Sequence, residues 1–260
     1  MFILSDSDLE FIVETVTPDA RDRARVATLV RDKPDILDAM IGDPRLVQRI
    51  LDDEEAIVHV SPRLLFTILL RKTRRDLDDQ PYINEIGDRG EVIPIFESSR
   101  VADLLDDEPP RDYLADMMSS FSRTHSTVFY SLERGRLRKR RFSSMDMDDM
   151  IYAARHADPA ERPDYYRRIA DLALFTTGVF PHQVVRNPRR RRFAHRRTLA
   201  DYEREGSAFY GLAARELDVP ELGGVLSTLS EKFTLARRAL NHLSERYIRS
   251  RSERYFGLGS

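Results

Sequence analysis

Between residues 222 and 247 the apolar positions Leu222, Leu226, Leu229, Phe233, Ala236, Leu240, Leu243 and Tyr247 advance by alternating fours and threes. That interval keeps one side of a helix apolar over many turns, so the spacing predicts a single helix of about seven turns. Leu199, Tyr202, Gly206, Phe209 and Ala213 repeat at the same spacing and predict a partner helix over about 198–216. The short link Asp218-Val219-Pro220 folds the two into an antiparallel helical hairpin. Gly206, lying on the partner seam, lets two backbones approach closely. Packing within the chain is the main expectation for the 222–247 seam, and a homodimer joined through it is the alternative.

A second apolar block, over 163–180, contains Tyr166, Ile169, Ala170, Leu172, Ala173, Leu174 and Phe175, with little polar surface between them. A helix apolar on nearly all sides belongs inside a bundle. Toward the start of the chain, helix beginnings are marked by a capping side chain followed by proline. Thr17-Pro18, Asp43-Pro44, Ser61-Pro62 and Asp158-Pro159 all show the pattern. With a capping box from Ser7 to Glu10, these marks predict helices near 7–16, 18–31, 34–41, 44–52 and 62–77. DKPDILDAMI and GDPRLVQRIL repeat one short proline-initiated unit, too few copies for a solenoid.

The helical pattern breaks at QPYINEIGDRGEVIPIFES, which has two prolines and two glycines. The chain accordingly divides into an acidic helical region, 1–80, a linker or long loop, 81–98, and a helical bundle region, 99–260. All three can also belong to one compact domain. Helices resume near 99–106 and 111–124. TVFYSLERGRLRKRRF, residues 127–142, joins a β-branched and aromatic run to a second run through Arg-Gly-Arg and predicts a short β-hairpin. Ser144, followed by Asp146, Asp148 and Asp149, is the expected cap of the next helix. The fold class is therefore mainly α: a multi-helix bundle with a C-terminal antiparallel helical hairpin and one short β-hairpin.

RLRKRRFSSMDMDDM, ERPDYYRRIADLALFTTGVFP, EREGSAFYGLAARE and FTLARRALNHLSERYI resemble blocks of a family of uncharacterised bacterial helical proteins. That family carries a Leu-Ala-Leu-Phe-x-x-Gly-x-Phe-Pro core and an Arg-Phe-Ser-Asp-like helix start. The resemblance spans about residues 130–250 and departs at Ser144, where the family has Asp. It implies a bacterial source and a shared helical fold, and no catalytic role.

Charge changes this picture more than composition does. The net charge of −2 conceals 16 basic against 27 acidic residues over 1–125, and 17 against 8 over 126–200. The basic third either binds an anionic partner or docks on the acidic half. Thirty-eight of the 42 basic residues are arginine, so arginine clusters arise readily by chance. The chain has no cysteine, which removes disulfides, thiolate metal sites and cysteine nucleophiles, and suits a reducing cytoplasm. The N-terminus lacks the basic flank and apolar core of a signal peptide. The densest apolar run, RLLFTILLRK, is about half of a membrane span.

Catalytic spacing is hard to find. The glycines are scattered, the six histidines are isolated, and Asp52-Asp53-Glu54-Glu55 and Asp106-Asp107-Glu108 lack a second carboxylate one turn along. These clusters read as solvated helix ends, and His242 with Glu245 as a surface pair. Tyr166 is expected in the core, with Arg167 and Arg168 pointing outward. No cofactor and no metal site is expected. The candidate contact residues are two basic runs: Arg134, Arg136, Arg138, Lys139, Arg140 and Arg141, then Arg186, Arg189, Arg190, Arg191, Arg192, Arg196 and Arg197. The leading expectation is a non-enzymatic cytoplasmic interaction protein with a protein partner. The alternative is nucleic-acid or other polyanion binding through the two runs, against which the pI near 6.3 counts.

Overall fold

The structure, a computed structural model, describes residues 4–53, 55–87, 90–122, 126–133, 136–143, 146–186, 197–249 and 255. The fold is mainly α. The first half contains α1 (Asp6–Val16), α2 (Arg23–Arg31), α3 (Pro34–Ile41), α4 (Pro44–Asp52), the single turn α5 (Ala56–His59) and α6 (Pro62–Asp78). A hairpin of β1 (Ile83–Ile86) and β2 (Val92–Ile95) follows, then α7 (Ser98–Asp106) and α8 (Glu108–Phe121). A second hairpin pairs β3 (Ser126–Glu133) with β4 (Arg136–Ser143). The remainder is α9 (Met147–His156), α10 (Arg162–Val179), α11 (Pro181–Arg186), α12 (Leu199–Glu216), α13 (Pro220–Glu231) and α14 (Phe233–Leu243), which runs into a π-helical turn, Ser244–Ile248.

Proline and its preceding cap start α4 and α6 as the sequence predicts: the side chains of Asp43 and Ser61 accept backbone N–H groups of the first turn. Thr17-Pro18 starts nothing. The Thr17 hydroxyl donates back to the carbonyl of Val13 at 2.8 Å, closing α1, and Asp22 caps α2 five residues past the expected start. The capping box of α1 is built on Ser5 and Asp8 rather than on Ser7 and Glu10. Asp8 does double duty, because its other oxygen accepts the backbone N–H of Ser61 at 2.8 Å and ties α1 to the start of α6. The cap of α9 is Asp146, whose carboxylate accepts from Asp148 and Asp149; Ser144 lies outside the described residues.

Two further expectations are corrected. The stretch read as a linker, 81–98, contains the antiparallel β1–β2 ladder, with Ile83 opposite Ile95 and Ile86 opposite Val92. The single long C-terminal helix is two helices, broken at Lys232. The β3–β4 ladder, by contrast, lies where the sequence places it.

Buried side chains from α1 to the π turn, with Tyr255, form one connected apolar core. α10 runs through its C-terminal part against α9, α12 and α14, and α6 runs through the N-terminal part against α4, α7 and α8. α14 joins the two by packing on α6, α7, α10 and β1. The seam survives the break at Lys232: Leu226, Leu229, Phe233, Ala236, Leu240, Leu243 and Tyr247 are all buried within the chain. They therefore offer no free face for the homodimer through 222–247. Gly206 is where α12 meets Phe233, since a Cβ there would sit 2.5 Å from the Phe233 ring and 3.0 Å from Ala173 Cβ. No helix among the described residues is long and apolar enough to cross a membrane.

Candidate functional site

Five cations of the first basic run, Arg136, Arg138, Lys139, Arg140 and Arg141, lie on β4; Arg134 falls outside the described residues. The register places Arg136 opposite Glu133, Arg138 opposite Ser131, Lys139 opposite Tyr130, Arg140 opposite Phe129 and Arg141 opposite Val128. One cation of the five thus has an acid directly across the ladder. In the second run, Arg186 ends α11, and Arg189, Arg190, Arg191, Arg192 and Arg196 lie outside the described residues. Arg197 is a structural residue: it bonds Asp148 of α9 and Glu205 of α12, each at 2.8 Å, and those carboxylates raise its pKa despite burial.

The acids of the first half have their own partners. Arg63 pairs with Asp116, Arg71 with Asp38, Arg49 with Glu14, and Arg74 grips both oxygens of Asp106 at 2.6 and 2.8 Å. Asp106 is therefore more than a solvated helix end. Other partners come from α14 and the turn after it. Arg237 bridges Glu85 and Glu203, Arg238 bridges Glu85 and Glu97, and Arg246 approaches Asp76 at 3.5 Å. Among the described ion pairs, every acid of residues 1–125 is matched by a base of the same half or of 237–246. None of these described ion pairs joins an acid of 1–125 to a base of 126–200.

Two buried polar clusters lie elsewhere. On α10, amid the apolar block, Asp171 accepts the phenol hydrogens of Tyr113 at 2.6 Å and Tyr210 at 2.7 Å on one oxygen. Burial pushes the Asp171 carboxyl above the usual range, and burial with the neighbouring carboxylate pushes both phenols well up. The cluster pins α8, α10 and α12 together. Apolar neighbours surround Asp171 in the sequence, and no motif marks it. The one available signal is an acid inside an otherwise apolar helix, with tyrosines on other helices to receive it. Arg168, expected to point outward, lies against the Phe121 ring at 3.8 Å and donates to Ser120 Oγ at 2.7 Å. Tyr166 is partly buried against the core.

The second cluster joins α6, α14 and the π turn. Asp76 accepts from Lys72 and from the Tyr247 phenol, and Arg246 lies beside it. His242 is buried rather than on the surface: its pKa falls to about 4, through burial first and the nearby Arg246 second. Its predicted neighbour Glu245 instead accepts from His182 Nε2 at 2.9 Å, because a π turn begins at Ser244 and re-aims the helix face. A neutral histidine and an ionised carboxylate are the parts of an acid–base pair, but Asp76 is saturated by Lys72, Tyr247 and Arg246. Among the described residues, no group of three or more metal-ligating side chains converges.

Two concavities lie among the described residues. One, of about 200 Å³, is bounded by Gly42, Arg71, Arg74, Arg75 and Arg111. Its cations are largely engaged: Arg71 by Asp38, Arg74 by Asp78 and Asp106, Arg75 by the carbonyl of Gly42 at 3.0 Å. The other, of about 330 Å³, lies between α9, α10 and α12. No family model matches the chain. No curated protein and no solved structure matches it.

Proposed function

We propose that this protein is a non-enzymatic helical binding protein, acting in the cytoplasm, that engages an anionic macromolecule. Its contact surface is the basic strand β4 together with the arginine-rich stretch 186–196. The observation that carries the reading is the partition of charge. The described ion pairs made by acids of the first half are with bases of that half or of 237–246. Four of the five β4 cations face uncharged residues across the ladder. A row of cations along one strand attracts phosphate chains, because binding releases the counterions condensed on them. The buried polar clusters support a structural rather than catalytic use of the chain's titratable groups, since their partners come from packed helices.

The test is a titration of labelled single-stranded and duplex nucleic acid, and of polyphosphate, at two salt concentrations. The wild-type chain is expected to bind at low salt and to weaken steeply with added salt. Replacing Arg189, Arg190, Arg191 and Arg192 by serine should weaken binding further. No binding at low salt, or unchanged binding by the serine variant, would overturn the reading.

A further inference from the structure

The cavity between α9, α10 and α12 is lined by Ile151, Ala154, Tyr166, Phe209 and Leu212 and by two arginines, Arg155 and Arg162. Its volume of about 330 Å³ is at the small end of the range that ligand pockets occupy, roughly 300–1,000 Å³. The rings of Tyr166 and Phe209 meet at 5.9 Å, tilted by 35°, and form an aromatic wall. Ala154 supplies a buried floor. Neither cation pairs with a carboxylate of the described residues. Arg162 donates weakly to the Ala157 carbonyl at 3.4 Å, and the nearest acid on its own helix, Asp164, pairs with Arg167.

Apolar walls beside two unneutralised cations select a ligand with two unlike ends. A guanidinium offers paired N–H donors that match a carboxylate, and such bonds are about twice as strong as neutral ones. An acyl or aromatic tail would cover the walls and displace their water. A neutral tail leaves both guanidinium groups without a counter-charge, and a cationic head is repelled by them. We propose that this cavity binds an amphipathic monoanion, a free hydrophobic carboxylate, with its tail against Tyr166 and Phe209 and its head on Arg155 and Arg162. The site shares no residue with the basic strand, so its existence is independent of the polyanion reading.

Calorimetric titration of the full chain with dodecanoate, dodecanol and dodecyltrimethylammonium, below their aggregation concentrations, tests this. One tail with three heads isolates the charge. Dodecanoate should bind one to one, at least tenfold more tightly than the alcohol or the cation. In the Arg155→Gln, Arg162→Gln double variant its Kd should rise tenfold or more, while polyphosphate binding stays as in wild type. Equal affinity for the three heads, no saturable binding of dodecanoate, or an unchanged Kd in the variant would overturn the proposal. So would sedimentation with phosphatidylglycerol vesicles without binding of the free acid, which would place the anion on a membrane surface. The comparison of heads uses wild-type protein and stands even if the double variant fails to fold.

Discussion

Tyr210 donates its phenol hydrogen to Asp171 Oδ1 at 2.7 Å, and both side chains are closed off from solvent. With Tyr113 on the same oxygen, the pair joins three helices through one atom. A buried carboxyl that loses one of its two donors is less well compensated for its desolvation. Tyr210→Phe should therefore lower unfolding free energy by about 1–3 kcal/mol, read as a fall in urea midpoint at constant slope. Asp171→Ala, which strands both phenols, should lower it further than Asp171→Asn, which keeps an acceptor. An Asp171→Ala protein as stable as wild type would show that the cluster contributes nothing.

Arg237 is nearly inaccessible, at 3% exposure, and holds Glu85 of β1 and Glu203 of α12 together. Removing it takes the shared cation from Glu203 and leaves Glu85 with Arg238 alone. Arg237→Ala should cost about 3–5 kcal/mol, as for other broken buried pairs. Backbone amides of 83–95 should lose hydrogen-exchange protection before the rest of the chain, because Arg237 and Arg238 anchor that hairpin. Uniform loss across all helices would argue against a local anchor.

His242 gives stability a pH dependence of definite sign. Its folded pKa, about 4, lies below the ordinary value of 6.5, so the unfolded chain binds the extra proton first. The contribution is complete above pH 6.5 and is lost as pH falls from 6.5 toward 4, on the order of 3 kcal/mol at most. Asp76, Lys72 and Arg246 face the same ring. Asp171, raised by burial, works in the opposite direction: its contribution falls as pH rises from the usual carboxyl value. The informative quantity is thus the difference between wild type and His242→Gln, measured by urea unfolding from pH 4 to 7.5. The difference should shrink with falling pH; a constant difference would contradict the assignment.

At Gly206 an added methyl would meet the Phe233 ring at 2.5 Å. Alanine otherwise favours a helix by roughly 1 kcal/mol, but overpacking costs about 1–3 kcal/mol. Gly206→Ala should therefore be net destabilising in thermal unfolding. Adding Phe233→Leu should recover part of the loss, so the two changes should be non-additive.

Sequence pattern revealed elements whose determinants are local. Proline with its cap located α4 and α6, and the run of alternating fours and threes located the faces of α13 and α14 that enter the core. It misplaced features decided by how an element ends or by partners distant in sequence. Thr17 could cap forward or bond backward, and the completed α1 offered it the carbonyl of Val13. His242 and Glu245 sit three apart on any regular helix, yet the π turn at Ser244 sends one inward and the other to His182. The acid at 171 carries no local mark of its two phenols, which lie 58 and 39 residues away. Of the candidate contact residues, Arg197 proved to be a tie between α9 and α12. Nothing in an arginine run marks which member will be enclosed.

The cations of β4 carry the central claim, and the salt dependence of binding reads them most directly. Each phosphate contact contributes about 0.9 to the slope of log K against log salt on duplex nucleic acid. Measured by fluorescence anisotropy on one labelled duplex, the slope should be steep for wild type. Arg138→Ser, Arg140→Ser and Arg141→Ser together should reduce it by roughly 2–3. An unchanged slope in the triple variant, or a wild-type chain that does not bind at low salt, would contradict the account.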